Sequence, residues 1–296
     1  MAKKPIKEQS KALTNWREEA AAAAKRAAEI EKNEGGGKFF SMKAGQLKFD
    51  DVALPGNMMA VVIVAAAHEN VYYREKYDPD NKTPPTCFAF WKEGMDHDVK
   101  EMGPPEIVDT EKKDGKLVFE RQADECEGCW ANEWGSADTG KGKACSNRRR
   151  LAVIPAGTFV SLGKNKGFEL KMFEDVDDFK KSDLAYLKLP VMSVKNYSAY
   201  VREVTEQLDK PLWAVFTQIS VEPDDRSQFK VTFELIDEVP DEFMDVIFKR
   251  HKEALDEIDF PYRAPSDDEE KESKPVKNNA AKKLAGKAKK PGRVKK

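Results

Sequence analysis

Cysteine and histidine are scarce in this chain, and long apolar runs are absent. The 296 residues include four cysteines and three histidines. The longest apolar run, residues 58–67, is ten residues long, about half of the roughly 20 that a transmembrane helix needs. The first residues, MAKKPIKEQSK, lack the apolar segment of a secretory signal peptide. We therefore expect a cytoplasmic protein without membrane spans, in a compartment where disulfides are rare.

Familiar catalytic motifs are missing as well. There is no G-x-S-x-G and no H-E-x-x-H. The segment GSADTGKG at residues 135–142 is close to a phosphate-binding loop, but Gly142 stands where that loop needs a magnesium-binding hydroxyl. The acidic pairs at 177–178 and 224–225 lie in predicted turns. The sequence predicts a protein that is not an enzyme; a metal-dependent nuclease or recombination enzyme, or a protein-binding scaffold, is the alternative.

The cysteines that are present have the spacing of metal ligands. Cys126 and Cys129 form a C-x2-C pair, Cys145 follows after fifteen intervening residues, and Cys87 lies upstream. Two intervening residues are about the shortest span that lets two thiolates reach one tetrahedral ion. The polar, glycine-rich loop at 123–147 has too few apolar residues to be ordered by packing. We predict a structural zinc ion bound by Cys87, Cys126, Cys129 and Cys145; an iron–sulfur cluster, reduced cysteines or redox-active cysteines are the alternatives.

Aromatic and basic residues alternate around these cysteines. Single-stranded nucleic acid is bound by this mixture, because rings stack on bases for about 1–3 kcal/mol each and cations follow the phosphates. Phe88 and Phe90, which alternate on a predicted strand, fit a buried core equally well. A solvated strand edge is the alternative for the three consecutive arginines. The candidate nucleic-acid-binding residues are Trp130, Trp134, Lys141, Lys143, Arg148, Arg149, Arg150, Tyr72, Tyr73 and Arg74.

Composition divides the chain into three parts. Residues 1–37 are predicted to be a polar, alanine-rich helical arm that ends at three glycines. Residues 38–262 contain the folded domain. Residues 263–296 have no periodicity and are predicted to be a disordered tail, first acidic and then basic. Within this tail, residues 271–296 include eleven basic residues and one acidic residue.

Apolar periodicity predicts a mainly β domain of the α+β kind. A hairpin is predicted where LWAVFTQISVE and QFKVTFELI are joined by PDDRS. Helices are predicted over 194–208 and 241–258, and His251 lies on the apolar side of the second. Further strands are predicted at 58–67, 86–91, 117–122 and 148–155. These elements favour an OB-like antiparallel barrel with a zinc-stapled loop insertion, packing helices and polar tails at both ends.

The cysteine loop also resembles a known family. The run CEGCWANEWGSADTGKGKACSNRRRLAVIP resembles a stretch of bacteriophage single-stranded DNA-binding proteins, and HENVYYREKYDPDN, PPTCFAF, LPVMSVKNYSAYV and FTQISVEPDDRSQFKVTFE are similar to the same group. The resemblance covers about residues 39–250. It implies an OB-like core with a zinc ion on Cys87, Cys126, Cys129 and Cys145. It also implies that the protein coats single-stranded DNA during phage DNA replication or recombination in the host cytoplasm.

The end of the chain departs from that family. Single-stranded DNA-binding proteins commonly end in an acidic tail that recruits partners, whereas this chain ends in GKAKKPGRVKK. The acidic cluster at 267–270 is short and internal. The resemblance implies replication or recombination proteins as partners, but we expect the basic end to add phosphate affinity instead of recruiting them.

Overall fold

The computed structural model describes residues 39–43, 45–49, 52–75, 84–92, 106–113, 116–164, 166–225, 227–259, 262 and 279–285. The predicted N-terminal arm at 1–37 lies outside these residues. Within them the fold is mainly β, as the sequence predicts, and its sheets are antiparallel. None of the helices in the described ranges combines the length and the apolar character that crossing a bilayer requires.

The described elements are thirteen strands, four α-helices and three short 3-10 turns. The strands are β1 (Phe40–Lys43), β2 (Gln46–Phe49), β3 (Val52–Ala53), β4 (Met58–Tyr72), β5 (Cys87–Lys92), β6 (Glu106–Ile107), β7 (Glu111–Lys113), β8 (Lys116–Phe119), β9 (Cys145–Ser161), β10 (Phe168–Met172), β11 (Ala185–Leu189), β12 (Val215–Asp224) and β13 (Gln228–Glu238). The helices are α1 (Val176–Lys180), α2 (Val191–Leu208), α3 (Asp241–Glu257) and α4 (Asn279–Ala285). The 3-10 turns are Pro55–Asn57, Trp130–Asn132 and Leu212–Ala214.

Two long strands, β4 and β9, form the centre of an eight-stranded sheet. They pair along most of their length, from Ala60 opposite Gly157 to Tyr72 opposite Cys145. On the outer side of β4, β12 pairs with the first half and β5 with the second. On the outer side of β9, β11 pairs with the first half and β10 with the second. Among the described strands, β10 and β13 end the sheet and do not pair with each other, so this sheet is open.

Both faces of the central part of this sheet are covered, which explains the near-continuous apolar run in β4. On one face, called the α2 face, Val61, Ile63 and Leu151 pack with helix α2 and the small sheet β1–β3. On the other, called the α3 face, Val62 and Ile154 pack with helix α3. The two predicted long helices and the predicted hairpin β12–β13 are confirmed.

Histidine 251 anchors helix α3 to the sheet. It is buried, and its Nδ1 lies 2.6 Å from the carbonyl oxygen of Val64. Burial lowers the pKa of this imidazole, so the neutral ring is favoured. The prediction that His251 lies on the apolar side of its helix is confirmed.

Helix α4 corrects the prediction of a disordered tail for residues 279–285. Ala280 and Leu284 are buried in the core of the α2 face. Asn279 exchanges two hydrogen bonds of 2.9 Å with Asp183, one from each backbone N–H to the other side chain. A seven-residue helix is marginal by itself, so local sequence shows no sign of it, and its stability comes from docking.

Candidate metal site and nucleic-acid interface

Strand register brings two distant cysteines to one end of the sheet. Cys87 of β5 and Cys145 of β9 both pair with Tyr72 of β4, from opposite sides. Residues that are directly opposite in antiparallel strands project to the same face, so both cysteines lie on the α2 face. The C-x2-C pair, Cys126 and Cys129, folds over this end, and all four cysteines line one cavity.

The donor set around this cavity suits a soft divalent cation. Burial, and after it the neighbouring cysteines, raise the pKa of Cys145 to about 12; burial is also the main cause of the raised pKa values of Cys87 and Cys126. Neutral thiols are therefore favoured here, and a bound dication would stabilise thiolates instead. Among the described residues, no three His, Cys, Asp or Glu side chains are close enough to form an assembled metal site.

Hydrogen bonds attach the C-x2-C turn to the sheet. Asn70, which is buried on β4, donates a side-chain hydrogen bond to Cys126, and its Oδ1 accepts one of 2.6 Å from Asn147 Nδ2. Asn132 holds the turn from the other side, donating from Nδ2 to the carbonyl oxygen of Cys126 and from its backbone N–H to that of Cys129, both at 2.9 Å. Lys143 Nζ lies 3.1 Å from Asn132 Oδ1. The turn is thus tied to both β4 and β9.

The glycine-rich segment 135–142 closes on itself and does not form a phosphate cradle. The backbone N–H groups of Gly135 and Ala137 both donate to the carbonyl oxygen of Gly142. Gly135 and Gly140 have φ values of 91° and 82°, a left-handed region that favours glycine. Ser136 Oγ bonds the carbonyl oxygens of Ala131 and Glu133. These glycines let the loop turn.

Two tryptophans project from this hydrogen-bonded loop. Trp134 is 80 % exposed and Trp130 is 48 % exposed. The ring of Trp130 meets Tyr72 edge-on, with centroids 5.3 Å apart. Lys143 Nζ lies 5.6 Å from the centroid of the Trp134 ring. The structure thus brings Tyr72, Trp130, Trp134 and Lys143 together at one end of the sheet, and Lys141 is exposed in the same loop.

The three consecutive arginines do not form a uniform basic edge. Alternation along β9 turns Arg149 to the α2 face, whereas Arg148 and Arg150 project to the α3 face. Arg150 is 1 % exposed; its Nη2 lies 2.5 Å from Glu69 Oε1, and its Nη1 donates to the carbonyl oxygen of Ile258. Arg150 is therefore removed from the candidate interface. It could not be recognised from sequence because Glu69 is 81 residues away.

Glu69 and Arg150 belong to a buried polar cluster that the sequence does not predict. Tyr262 Oη donates to Glu69 Oε1 at 3.0 Å and accepts from Lys188 Nζ at 2.9 Å. Burial would raise the pKa of Glu69, but Arg150 and Lys188 outweigh it and hold this pKa below its usual value. Burial also lowers the pKa of Lys188 to about 8. The one signal in the sequence is the polar group HEN at the end of an apolar strand.

Of the remaining residues considered from sequence, the aromatic ones pack into one cluster and the basic one lies at the surface. Phe88 and Phe90 are buried on the α3 face, which confirms their core alternative. Tyr73 packs partly buried against the same cluster. Arg74 is exposed and forms an ion pair with Glu120. Of this group, only Arg74 presents a positive charge at the surface, and Glu120 partly neutralises it.

One further aromatic pair lies on the α2 face. His68 of β4 stacks on Trp91 of β5, with ring centroids 4.7 Å apart and an interplanar angle of 20°. Both residues are partly exposed. His68 and Trp91 are adjacent strand partners, and Arg149 pairs with His68 from the other side. Sequence reasoning selected Arg149 alone from this row, because its three residues come from three separate segments.

No family model, curated protein or solved structure matches this chain. The geometry of the cysteine end of the sheet is thus the basis on which its function is inferred.

Proposed function

We propose that this protein binds and coats single-stranded DNA and is not an enzyme. A structural zinc ion on Cys87, Cys126, Cys129 and Cys145 would order the loop that contacts the strand. The proposal includes an OB-like core as the finer description of the mainly β fold. The resemblance of the cysteine loop also implies the cytoplasm of a phage-infected host and replication or recombination proteins as partners.

The observation that carries this proposal is the exposure of Trp130 and Trp134 on a well-connected loop. Large aromatic side chains that stay in water on an ordered surface are typical of binding sites. Lys143 lies beside the Trp134 ring, and Lys141 is exposed in the same loop. Rings and cations together suit a single strand, because its base faces are open for stacking, whereas a duplex hides them.

The proposed zinc ion supports this loop from below. Trp130 follows Cys129, the second cysteine of the C-x2-C turn, directly in sequence, and Cys145 is the first residue of β9. When bound, the ion would supply charge compensation for four thiolates and would link the loop to β5 and β9. The residues of the chain position the rings: Asn70 and Asn132 hold the turn, and Ser136 holds the segment that follows it.

The test is fluorescence anisotropy with a labelled thymidine oligonucleotide and a duplex of equal length. We expect preference for the single strand and an affinity that falls with salt, with a log–log slope of about −0.7 for each phosphate neutralised. Replacing both Trp130 and Trp134 by alanine should weaken binding by about 1–3 kcal/mol for each base that loses its stacking partner. The matched control is Leu162→Ala, because Leu162 is 51 % exposed but follows the opposite end of β9.

Other outcomes would favour other functions. Absence of binding at low salt would refute the DNA-coating role. Cleavage of the labelled strand on addition of a divalent cation, abolished by a single carboxylate substitution, would support a nuclease instead. Equal affinity for single strand and duplex would argue against base stacking by Trp130 and Trp134.

A further inference from the structure

We propose that Trp91, His68 and Arg149 form a second base-stacking site, so that a single strand runs along the α2 face from this row to the cysteine loop. The inference rests on the proposed function and specifies which surface the nucleic acid follows. Its three residues lie side by side on β5, β4 and β9. We call them the Trp91 row.

The geometry of the Trp91 row suits a flat ligand. The rings of Trp91 and His68 are stacked in nearly parallel planes, with centroids 4.7 Å apart and 20° between the planes. Such a pair is pre-organised, because each ring limits the rotation of the other. A partly exposed tryptophan that is already fixed loses little conformational freedom when a base stacks on it. Arg149 adds a guanidinium that pairs with phosphate oxygens or stacks on a base.

The row has one fixed charge. Burial, and after it the nearby Arg149, lower the pKa of His68 to about 3, so the imidazole is neutral at physiological pH. His68 thus serves as an uncharged ring, and Arg149 supplies the positive charge. Lys92 follows Trp91 but projects to the α3 face, where it forms an ion pair of 3.0 Å with Asp259.

The Trp91 row is continuous with the loop tryptophans. Along β4 the α2 face presents His68, then Asn70, then Tyr72. At 3.2–3.4 Å for each residue, His68 and Tyr72 are roughly 13–14 Å apart along the strand. Asn70 lies between them, where Cys126 reaches the sheet, and Trp130 stands over Tyr72. The C-x2-C turn therefore separates two aromatic sites on one face, and a strand passing beside the turn would contact both.

Single-stranded nucleic acid fits this surface better than an apolar protein segment does. The row contains a cation and a polar ring, and the residues between it and Tyr72 include Asn70 and Asn147. An apolar partner would offer the Arg149 guanidinium no acceptor in place of the water that it displaces. A single strand brings a phosphate for the guanidinium and a base for the rings.

The first test needs no substitution. The full chain is bound to a thymidine oligonucleotide in which 5-iodouracil replaces single bases in turn, and photocrosslinked peptides are identified by mass spectrometry. We expect crosslinks to two peptides, one containing Trp91 or His68 and one containing Trp130 or Trp134. Crosslinks confined to the loop tryptophans would overturn the second site and leave the proposed function intact. An oligonucleotide that does not bind would refute the proposed function itself.

Substitutions provide a second readout. Trp91→Ala should weaken binding about 5- to 150-fold, which corresponds to the loss of about 1–3 kcal/mol of stacking. Trp91→Phe should restore most of the affinity, because a ring remains. Arg149→Gln should reduce the salt slope by about 0.7. Equal affinities of wild type, Trp91→Ala and Arg149→Gln, each shown to be folded by circular dichroism, would contradict the proposal.

Discussion

Arg150 Nη2 lies 2.5 Å from Glu69 Oε1, and both side chains are inside the protein. The two residues come from the central strands β9 and β4, close to the end that bears the cysteines. Phe90 covers the guanidinium, whose carbon lies 4.3 Å from the ring centroid. The two opposite charges thus stabilise each other, and because both are buried, water cannot take the place of either partner.

Removing one charge of this pair should be much worse than removing both. We expect Glu69→Gln or Arg150→Met to lower the free energy of unfolding by about 3–5 kcal/mol, because the remaining buried charge loses its nearest partner. The double variant Glu69→Gln with Arg150→Met should lose less stability than the sum of the two single variants. Urea unfolding followed by circular dichroism measures this. Single variants within about 0.5 kcal/mol of wild type would contradict the buried pair.

Acid should destabilise the protein in part through His68. Its pKa is near 6.5 in an unfolded chain and about 3 in the folded protein, owing to burial and then to Arg149. Between these values the unfolded chain binds a proton that the folded protein does not, so stability is lost as the pH falls below about 6.5. His68→Phe should therefore lose less stability than wild type between about pH 7.5 and about pH 5.

Urea unfolding of both proteins at both pH values gives the comparison. His251, whose pKa is also lowered by burial, remains in the variant and contributes equally to both proteins. Identical losses of stability in wild type and His68→Phe would show that the His68 ring is not shielded from protons.

Metal removal should loosen the cysteine end of the sheet. Where a metal site exists only in the folded protein, the free energy of metal binding adds to the stability of the fold. Cys126→Ser and Cys145→Ser should therefore each lower both zinc content and thermal stability. A strong chelator should have the same effect on wild type and a smaller effect on these variants. Elemental analysis and thermal unfolding report the two quantities. A melting curve that is unchanged by chelation would exclude a structural role for zinc.

Trp134 should matter for binding but not for folding. It is 80 % exposed, and substitutions at such positions usually change stability by less than about 0.5 kcal/mol. Trp134→Ala should therefore unfold at the same urea concentration as wild type while binding the oligonucleotide more weakly. Loss of stability together with affinity would mean that this ring supports the loop and does not contact DNA.

Docking of helix α4 should depend on Leu284. This side chain is 2 % exposed in the core of the α2 face, and an isolated helix of this length is marginal. Leu284→Ala should undock the helix, so that amide protons of residues 279–285 exchange at the rate of an unfolded peptide. Hydrogen exchange with mass spectrometry measures this, and Lys289→Ala, in the same tail, is the control. Unchanged protection in Leu284→Ala would show that other contacts hold the helix.

Sequence patterns were sufficient for the elements with strong local periodicity. Tyr197, Tyr200 and Val204 are buried at helical spacing, and hydrophobic alternation predicts strands such as β5 correctly to within a residue. Strand β9, predicted at 148–155, extends from Cys145 to Ser161. Its ends lack apolar alternation, because they face a polar loop at one end and solvent at the other.

The parts that could not be predicted depend on contacts between distant residues. Arg150 looks like surface charge until β4 places Glu69 beside it. The pairing of His68 with Trp91 needs β4 and β5 to be adjacent in the correct register. Tyr262 lies in a segment with no periodicity and is held by Glu69 and Lys188. No pattern within one segment indicates such partners.

The alignment of Cys87 and Cys145 on either side of Tyr72 has a consequence for how the chain folds. Side chains alternate along a strand, so a slip of one residue between β4 and either neighbour would turn one of these thiols to the opposite side of the sheet. An ion that requires all four thiols is then held only by correctly aligned strands. Metal binding would therefore stabilise only the correct register of β4, β5 and β9, three strands that are remote in sequence.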